Sequence, residues 1–252
     1  MSAHRSRLRA LALAALGTLG CLAGSALAAQ FTLSNTRIHL GAAHTTETLV
    51  LSNREARTVS FEVHVKKWTQ NADGTWTQVP SQDLVVHPLI LRADANGETR
   101  VRIGTLSPNV ASEQAYRVEI TELPDNTERK SGEVRMLTTV SLPVFVQPKG
   151  AKAVRAMTVD AVTPKELVFS LRNTGTAYAG ADDAALRVLD ANGRKLYDAT
   201  LEIGYVLVGG HLPVHAKLPA NVCANAAKVE LKFGDEATLV APVAQGQRKC
   251  AP

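Results

Sequence analysis

Aromatic side chains make up only 4% of the 252 residues. So thin a supply excludes a stacking platform for single-stranded nucleic acid or for sugars. Beyond the first 28 residues no apolar run is long enough to cross a bilayer, which excludes membrane insertion by helices. There is no Cys-x-x-Cys, no His-Glu-x-x-His, no Gly-x-Ser-x-Gly and no phosphate-cradling glycine loop, so no motif supports an enzyme or implies a cofactor. His211 and His215 have the spacing of two metal ligands on one helical face, but Pro213 lies between them in a strand-like context. Residues four apart along a strand stand roughly 13 Å from each other, too far to share one ion. Asp182-Asp183 reads as a solvated turn rather than a calcium site. Helical periodicity is almost absent throughout.

The start of the chain explains most of its charge. Residues 1–28 place Arg5, Arg7 and Arg9 ahead of a Leu/Ala run that ends in Ala26-Leu27-Ala28, the pattern of a cleaved secretory signal peptide. A lipoprotein signal using Cys21 is the rival reading, since Leu19-Gly20 precede that cysteine, although Thr18 suits it poorly. Without the three signal arginines, Lys plus Arg falls from 28 to 25 against 23 acidic residues, and the net charge drops from +5 to +2. That balance offers no case for nucleic acid or an anionic membrane. Of three cysteines, Cys223 and Cys250 survive cleavage. In an oxidising compartment this pair reads as one disulfide, whose loop closure is worth about 3 kcal/mol.

What is abundant is period-2 alternation punctuated by turns. The chain reads as strands over 31–40, 48–52 and 59–65, the last alternating Val59, Phe61, Val63 and Val65 with Ser60, Glu62, His64 and Lys66. Trp68 follows, and Asn71-Ala-Asp73-Gly74 turns the chain back through Trp76. The run 84–91 is broken by Pro88 and belongs at an edge or corner. After the Asp94–Gly97 turn come strands over 99–103 and 116–123, and then the longest extended run, 133–148. Seven or so strands with turns every dozen positions suit an immunoglobulin-like sandwich. Residues 149–153 read as a linker, and a second β series fills 154–252, with strands over 167–172, 186–189, 201–208, 214–218 and 229–233. The expected fold class is therefore all-β, with two tandem immunoglobulin-like β-sandwich domains, 29–148 and 154–252. Leu51-Ser-Asn53 and Leu171-Arg-Asn173 echo each other as strand exits in two related folds.

The run 133–148 organises the first domain. Val134, Met136, Thr138, Val140 and Leu142 share one parity, while Leu137 makes the opposite face partly apolar as well. A long, uncharged strand of this kind at a sheet edge is a template for another chain. The residues alone leave open whether it closes its own sandwich or pairs with a partner.

Six segments in order resemble the periplasmic pilus chaperones of the chaperone-usher pathway. They are 31–40 with Leu49-Val-Leu-Ser-Asn53, Trp68-Thr-Gln70, 84–91, Arg100-Val-Arg-Ile103, 116–124, and Ser141-Leu-Pro-Val-Phe-Val-Gln-Pro148. In the second domain Tyr205-Val-Leu207 ahead of a glycine pair also fits. The resemblance covers essentially the whole chain after the signal. It implies a boomerang of two domains that lends an edge strand to incomplete pilin-like subunits in the periplasm and hands them to an outer-membrane usher, without a cofactor. By that resemblance Val134, Met136, Thr138, Val140 and Leu142 form the inserted row, and the polar loop 125–132 precedes it. Self-association of the free form is a further expectation.

Better-known members hold the subunit carboxylate with an arginine on the first strand and a lysine on the lending strand. Arg37 matches the arginine, whereas Pro143 stands where the lysine would be, and Gln147 replaces a commonly basic residue. Arg102 and Arg117 both lie opposite the core parity of their strands, and Arg117 is the favoured substitute because its strand pairs with the lending strand. The Leu-Pro-Val-Phe-Val version of that strand resembles the archaic, spore-coat-protein-U-like branch. The reading from another class is an exported two-domain structural or adhesive surface protein; a hydrolase with a scattered site is a third.

Overall fold

The computed structural model describes residues 31–124, 136–180 and 182–250. The segment 1–28 expected to be a signal peptide, residues 125–132 and Val134 lie outside the described residues. Strands dominate. Along the first domain run β1 (Phe31–Leu33), β2 (Ile38–Gly41), β3 (Thr46–Asn53), β4 (Val59–Gln70), β5 (Trp76–Pro80), β6 (Leu84–His87), β7 (Ile90–Ala93), β8 (Glu98–Thr105), β9 (Gln114–Glu122) and β10 (Thr139–Gln147). Two sheets face each other, β1-β3-β8-β6 against β2-β10-β9-β4-β5 with β7 on β4. The alternation read over 59–65 is obeyed: Val59, Phe61 and Val63 are buried with Leu49, Leu51, Val101, Ile103, Val118 and Ile120 in one core.

The single strand expected over 31–40 is two strands on different sheets. β1 pairs antiparallel with β3, whereas β2 pairs parallel with β10. The crossing at 34–37 is held by polar groups. Ser34 N–H donates to Val50 O at 2.9 Å and the Ser34 hydroxyl accepts from Val50 N–H at 3.1 Å. The run 84–91 also divides, at a cis His87–Pro88 bond, so that β6 and β7 join opposite sheets. These two divisions, with β5 as an added hairpin strand, raise the strand number from the expected seven to ten.

The second domain contains β11 (Arg155–Val162), β12 (Glu166–Asn173), β13 (Asp182–Leu189), β14 (Lys195–Ile203), β15 (His211–Lys217), a short helix α1 (Ala220–Cys223), β16 (Lys228–Phe233) and β17 (Leu239–Pro242). Its sheets are β11-β12-β15 and β14-β13-β16-β17, closed over a core containing Phe169, Leu186, Val229 and Leu231. The strand expected over 201–208 ends at Ile203; Tyr205–Val208 is a connection whose Val206 makes a single bridge to Ala179. Cys223 and Cys250 form a disulfide. Asp182 ion-pairs with Arg155 at 3.2 Å, and His215 faces Glu166 at 3.1 Å.

The repeated Leu-x-Asn phrase has one physical role in both domains. Asn53 is buried; its amide donates to the carbonyls of Arg57 at 2.8 Å and Asp94 at 3.0 Å, and its oxygen accepts from Glu55 N–H at 2.9 Å. Asn173 donates to Ala177 O at 2.7 Å and Val206 O at 3.0 Å, and accepts from Gly175 N–H at 3.0 Å. In each case a buried amide satisfies the loop that leaves the strand, which an apolar residue of the same size would leave unpaired.

Candidate functional site

The last strand of the first domain is incompletely paired. β9 lies along all of β10 from Thr139 to Val146, but β2 covers only Val144 to Gln147. Glu122 N–H donates to Thr138 O at 2.8 Å, so by antiparallel alternation the even residues of β10 aim their backbone groups at β9. The odd residues aim the other way: Phe145 and Gln147 toward β2, and Thr139, Ser141 and Pro143 toward an edge without a strand partner among the described residues. Pro143, which has no N–H to offer, sits on that outward side and costs the β9 ladder nothing.

Side-chain burial divides the row expected to be inserted. Leu142 is 4% exposed and belongs to the domain's own core, and half-buried Val140 packs against the same cluster. Leu142 is therefore corrected from a partner-facing residue to a core residue, and Val140 with it in large part. The parity is shared, but the sandwich ends between Val140 and Met136. Met136 is 83% exposed, and Thr138 lies at the margin of the domain.

The opposite face of β10 leads into the junction between the domains. Phe145 is fully buried there with Trp68, Ala115 and Leu207, and Tyr178 and Tyr205 pack against them. Phe145 stacks on Tyr178 at 3.9 Å between centroids, and Trp68 meets Tyr205 edge to face at 5.3 Å. Such pairs contribute about 0.5–1.5 kcal/mol each beyond their buried area. The Trp68 strand adds Gln70, which accepts Leu207 N–H at 3.0 Å and donates to Tyr205 O at 3.3 Å. That close approach explains Gly210, where a Cβ would collide with the Gln70 amide, whereas Gly209 is explained by its φ of +71°.

Arg37 and Arg117 converge on this junction. Arg37 donates through Nη1 to the Tyr178 hydroxyl at 3.1 Å and through Nη2 to the Tyr205 hydroxyl at 2.9 Å. Burial works against its charge, but the two phenols outweigh it and raise the Arg37 pKa. Arg117 is directly across the ladder from Pro143, and its guanidinium lies 3.9 Å over the Trp68 ring. Burial lowers its pKa, with Tyr205 acting in the other direction. Its Nε is buried without a hydrogen-bond partner. Both guanidinium carbons lie within 6 Å of the Tyr205 ring centroid, at 5.5 and 5.9 Å, so the two cations share one aromatic neighbour. Among the described residues, no carboxylate ion-pairs with either one. Arg102 is elsewhere: on β8 it is exposed between Thr48 and His87 in the other sheet, and the structure does not bring it to Arg37 and Arg117.

A buried carboxyl closes the junction from the side. Glu113 accepts from Gln147 Nε2 at 2.6 Å and from Tyr178 N–H at 2.8 Å, and its own N–H donates to Thr176 O at 3.2 Å. Gln147, in the position expected to be basic, gives this carboxyl a neutral partner. Burial pushes the Glu113 pKa up to about 7 despite both hydrogen bonds. His39, stacked 5.7 Å from Phe145 and 5.9 Å from Tyr178, is held neutral-leaning by burial. Sequence reading missed Glu113, Tyr178 and the junction role of Trp68; Tyr205 entered only through the resemblance.

The geometry combines an unpaired strand edge with two cations set against aromatic rings at the junction of two sandwiches. Residues 30–152 match the family model for the pili and flagellar-assembly chaperone, PapD N-terminal domain. No curated protein matches the chain by sequence. Among solved structures, the class 5 fimbriae chaperone CfaA aligns at TM-score 0.59 and 14% identity, covering 85% of this chain and 99% of that one. The CsuC–CsuE chaperone–tip adhesion subunit pre-assembly complex, from the archaic chaperone-usher Csu pili of Acinetobacter baumannii, contributes a match at TM-score 0.58 and 18% identity, over 84% of this chain and 98% of that chain. The Pseudomonas aeruginosa CupB2 chaperone aligns at TM-score 0.54 and 19% identity, over 84% and 100% respectively. At such identities the structures speak for the fold, two β-sandwich domains in series. By the family match the first domain belongs to the PapD-like pilus-assembly chaperones, and the fold of those chaperones extends over both domains.

Proposed function

We propose that this chaperone works in the periplasm by donor-strand complementation, presenting the start of β10 to pilin-like subunits and passing them to an outer-membrane usher. The observation that carries the reading is the outward edge of Thr139, Ser141 and Pro143, unpaired by β2 and ending beside Arg37 and Arg117. Backbone groups on such an edge supply affinity to an added strand, and apolar side chains beyond the domain margin supply pocket contacts. Met136 and Thr138 are the described residues of the row that remain available, with Val134 continuing it. Arg37 and Arg117 bind the carboxylate at the subunit's C-terminus, a charge that needs charged donors once it leaves water. Because Arg117 is across from Pro143, it takes over the task of the missing lysine from the neighbouring strand. The Pro143 substitution and the likeness to the chaperone of the archaic Csu pili favour the archaic branch.

The test is co-purification from periplasmic extracts of cells expressing the chaperone with candidate subunits. A 1:1 complex with a small pilin-like protein is expected, reduced by Arg117→Met and unaffected by Arg102→Met. Equal loss from both substitutions, or from neither, refutes the anchor assignment; failure to recover any such complex refutes the strand-lending reading.

A further inference from the structure

The two tyrosines at the junction are placed to do more than support Arg37. Each phenolic oxygen accepts a guanidinium N–H, at 3.1 Å for Tyr178 and 2.9 Å for Tyr205, and so keeps its own proton to donate. Among the described residues neither hydroxyl donates to an acceptor. A hydroxyl that accepts from a cation is polarised into a stronger donor. The rings are fixed rather than free, Tyr178 by its stack on Phe145 at 3.9 Å and Tyr205 by its edge contact with Trp68 at 5.3 Å. Burial raises the Tyr178 pKa, which keeps that phenol protonated. Next to them, Arg117 has a buried Nε without a partner, 5.9 Å separating its guanidinium carbon from the Tyr205 centroid. Two cations and two O–H groups without an acceptor therefore cluster about the Tyr205 ring, and a carboxylate, which only accepts, suits such a set of donors.

We propose that Tyr178 and Tyr205 are specificity-determining residues of the anion site, donating their hydroxyl protons to the carboxylate of a docked chain terminus. The inference rests on the carboxylate-binding reading given above and adds the second domain to it. Arg37 and Arg117 belong to the first sandwich and both tyrosines to the second, so the bound carboxylate ties the two domains together. Discrimination follows from the chemistry: a free acid accepts from every donor present, whereas a C-terminal amide brings N–H groups against four donors and leaves them unpaired.

The mature chain, titrated by NMR with N-acetylglycine and with N-acetylglycinamide, tests this directly. Wild type binds the acid and discriminates against the amide. Tyr178→Phe and Tyr205→Phe, which keep both rings, each weaken acid binding by about tenfold and leave the amide unchanged. Incorporation of 3-fluorotyrosine, read at pH 6 where the phenol stays protonated, tightens acid binding alone; a role confined to packing would move neither comparison. Acid affinity within twofold of wild type in both Phe variants, with binding lost in Arg37→Met and Arg117→Met, overturns the tyrosine assignment and leaves the anchor standing. Equal binding of acid and amide by wild type overturns the anchor and this inference with it.

Discussion

Glu113 makes the stability of the domain junction depend on pH in a direction opposite to that of most carboxylates. Its pKa is raised by burial from the ordinary 4.5 to about 7. Between those two values the folded protein holds a proton that the unfolded chain has released. The associated stability is fully present below pH 4.5 and is lost as the pH rises through 7, because the ionised carboxylate must then be kept out of water. At about 1.4 kcal/mol per unit, the penalty reaches about 3 kcal/mol above pH 7. Glu113→Gln keeps the shape and removes the titration; its carbonyl oxygen accepts from Tyr178 N–H, and its NH2 donates to Gln147 once that side-chain amide turns over. In a chain of this size 1 kcal/mol moves the midpoint by about 2–4 °C, so the variant should exceed wild type by roughly 6–12 °C at pH 8. At pH 4.5 the two should coincide. Calorimetric scans at half-unit intervals resolve this, and the difference between the two proteins cancels every other group. Melting curves that stay parallel from pH 4.5 to 8, or a wild type more stable than the variant at pH 8, refute the reasoning.

Other substitutions separate folding from partner binding. Met136→Asp should abolish subunit capture while leaving the melting midpoint unchanged, since Met136 is 83% exposed. Leu142→Ala, on the same row, should instead destabilise the first domain by about 2–5 kcal/mol, measured by denaturant unfolding. A destabilisation under 1 kcal/mol would contradict its place in the core. Serine at both Cys223 and Cys250 opens a loop of 27 residues and should cost about 3–4 kcal/mol by chain entropy, read from the shift in urea midpoint. Trp68→Ala should lose about 3–5 kcal/mol and also free Arg117, which shows as increased solvent exchange at its side chain.

The parts of the fold written in local alternation were readable in advance. Val59, Phe61 and Val63 point inward as their spacing says, and Asn53 and Asn173 announce matching strand exits. The switch of the first strand between sheets left only a faint sign, the move of apolar parity from Phe31 and Leu33 to Ile38 and Leu40. Parity also assigns Leu142 and Met136 to one face but says nothing of where the sandwich stops, and that boundary decides which of them meets a partner. The junction site was hidden for a different reason. Tyr178 and Tyr205 sit in irregular connections, 141 and 168 residues from the arginine they bind. No periodic pattern records such a pairing, because it is set by how two separately folded bodies rest on each other.

Pro143 has a consequence for how pairing on the open edge proceeds. A strand added along Thr139 and Ser141 meets backbone N–H and C=O groups, the Ser141 carbonyl shared with Arg117 Nη1 at 3.5 Å, but at Pro143 its own carbonyl meets no N–H. The ladder has a built-in end stop at that residue, so an incoming strand cannot slide toward the junction by extending its hydrogen bonds. Growth runs one way only, outward past Thr139. On the proposed function, a chain end halting at Pro143 would lie one strand away from Arg117, which pairs with Pro143 from the β9 side. In that reading a residue with no donor and no charge would act as a ruler, converting the reach of a bound strand into a fixed position for its terminus.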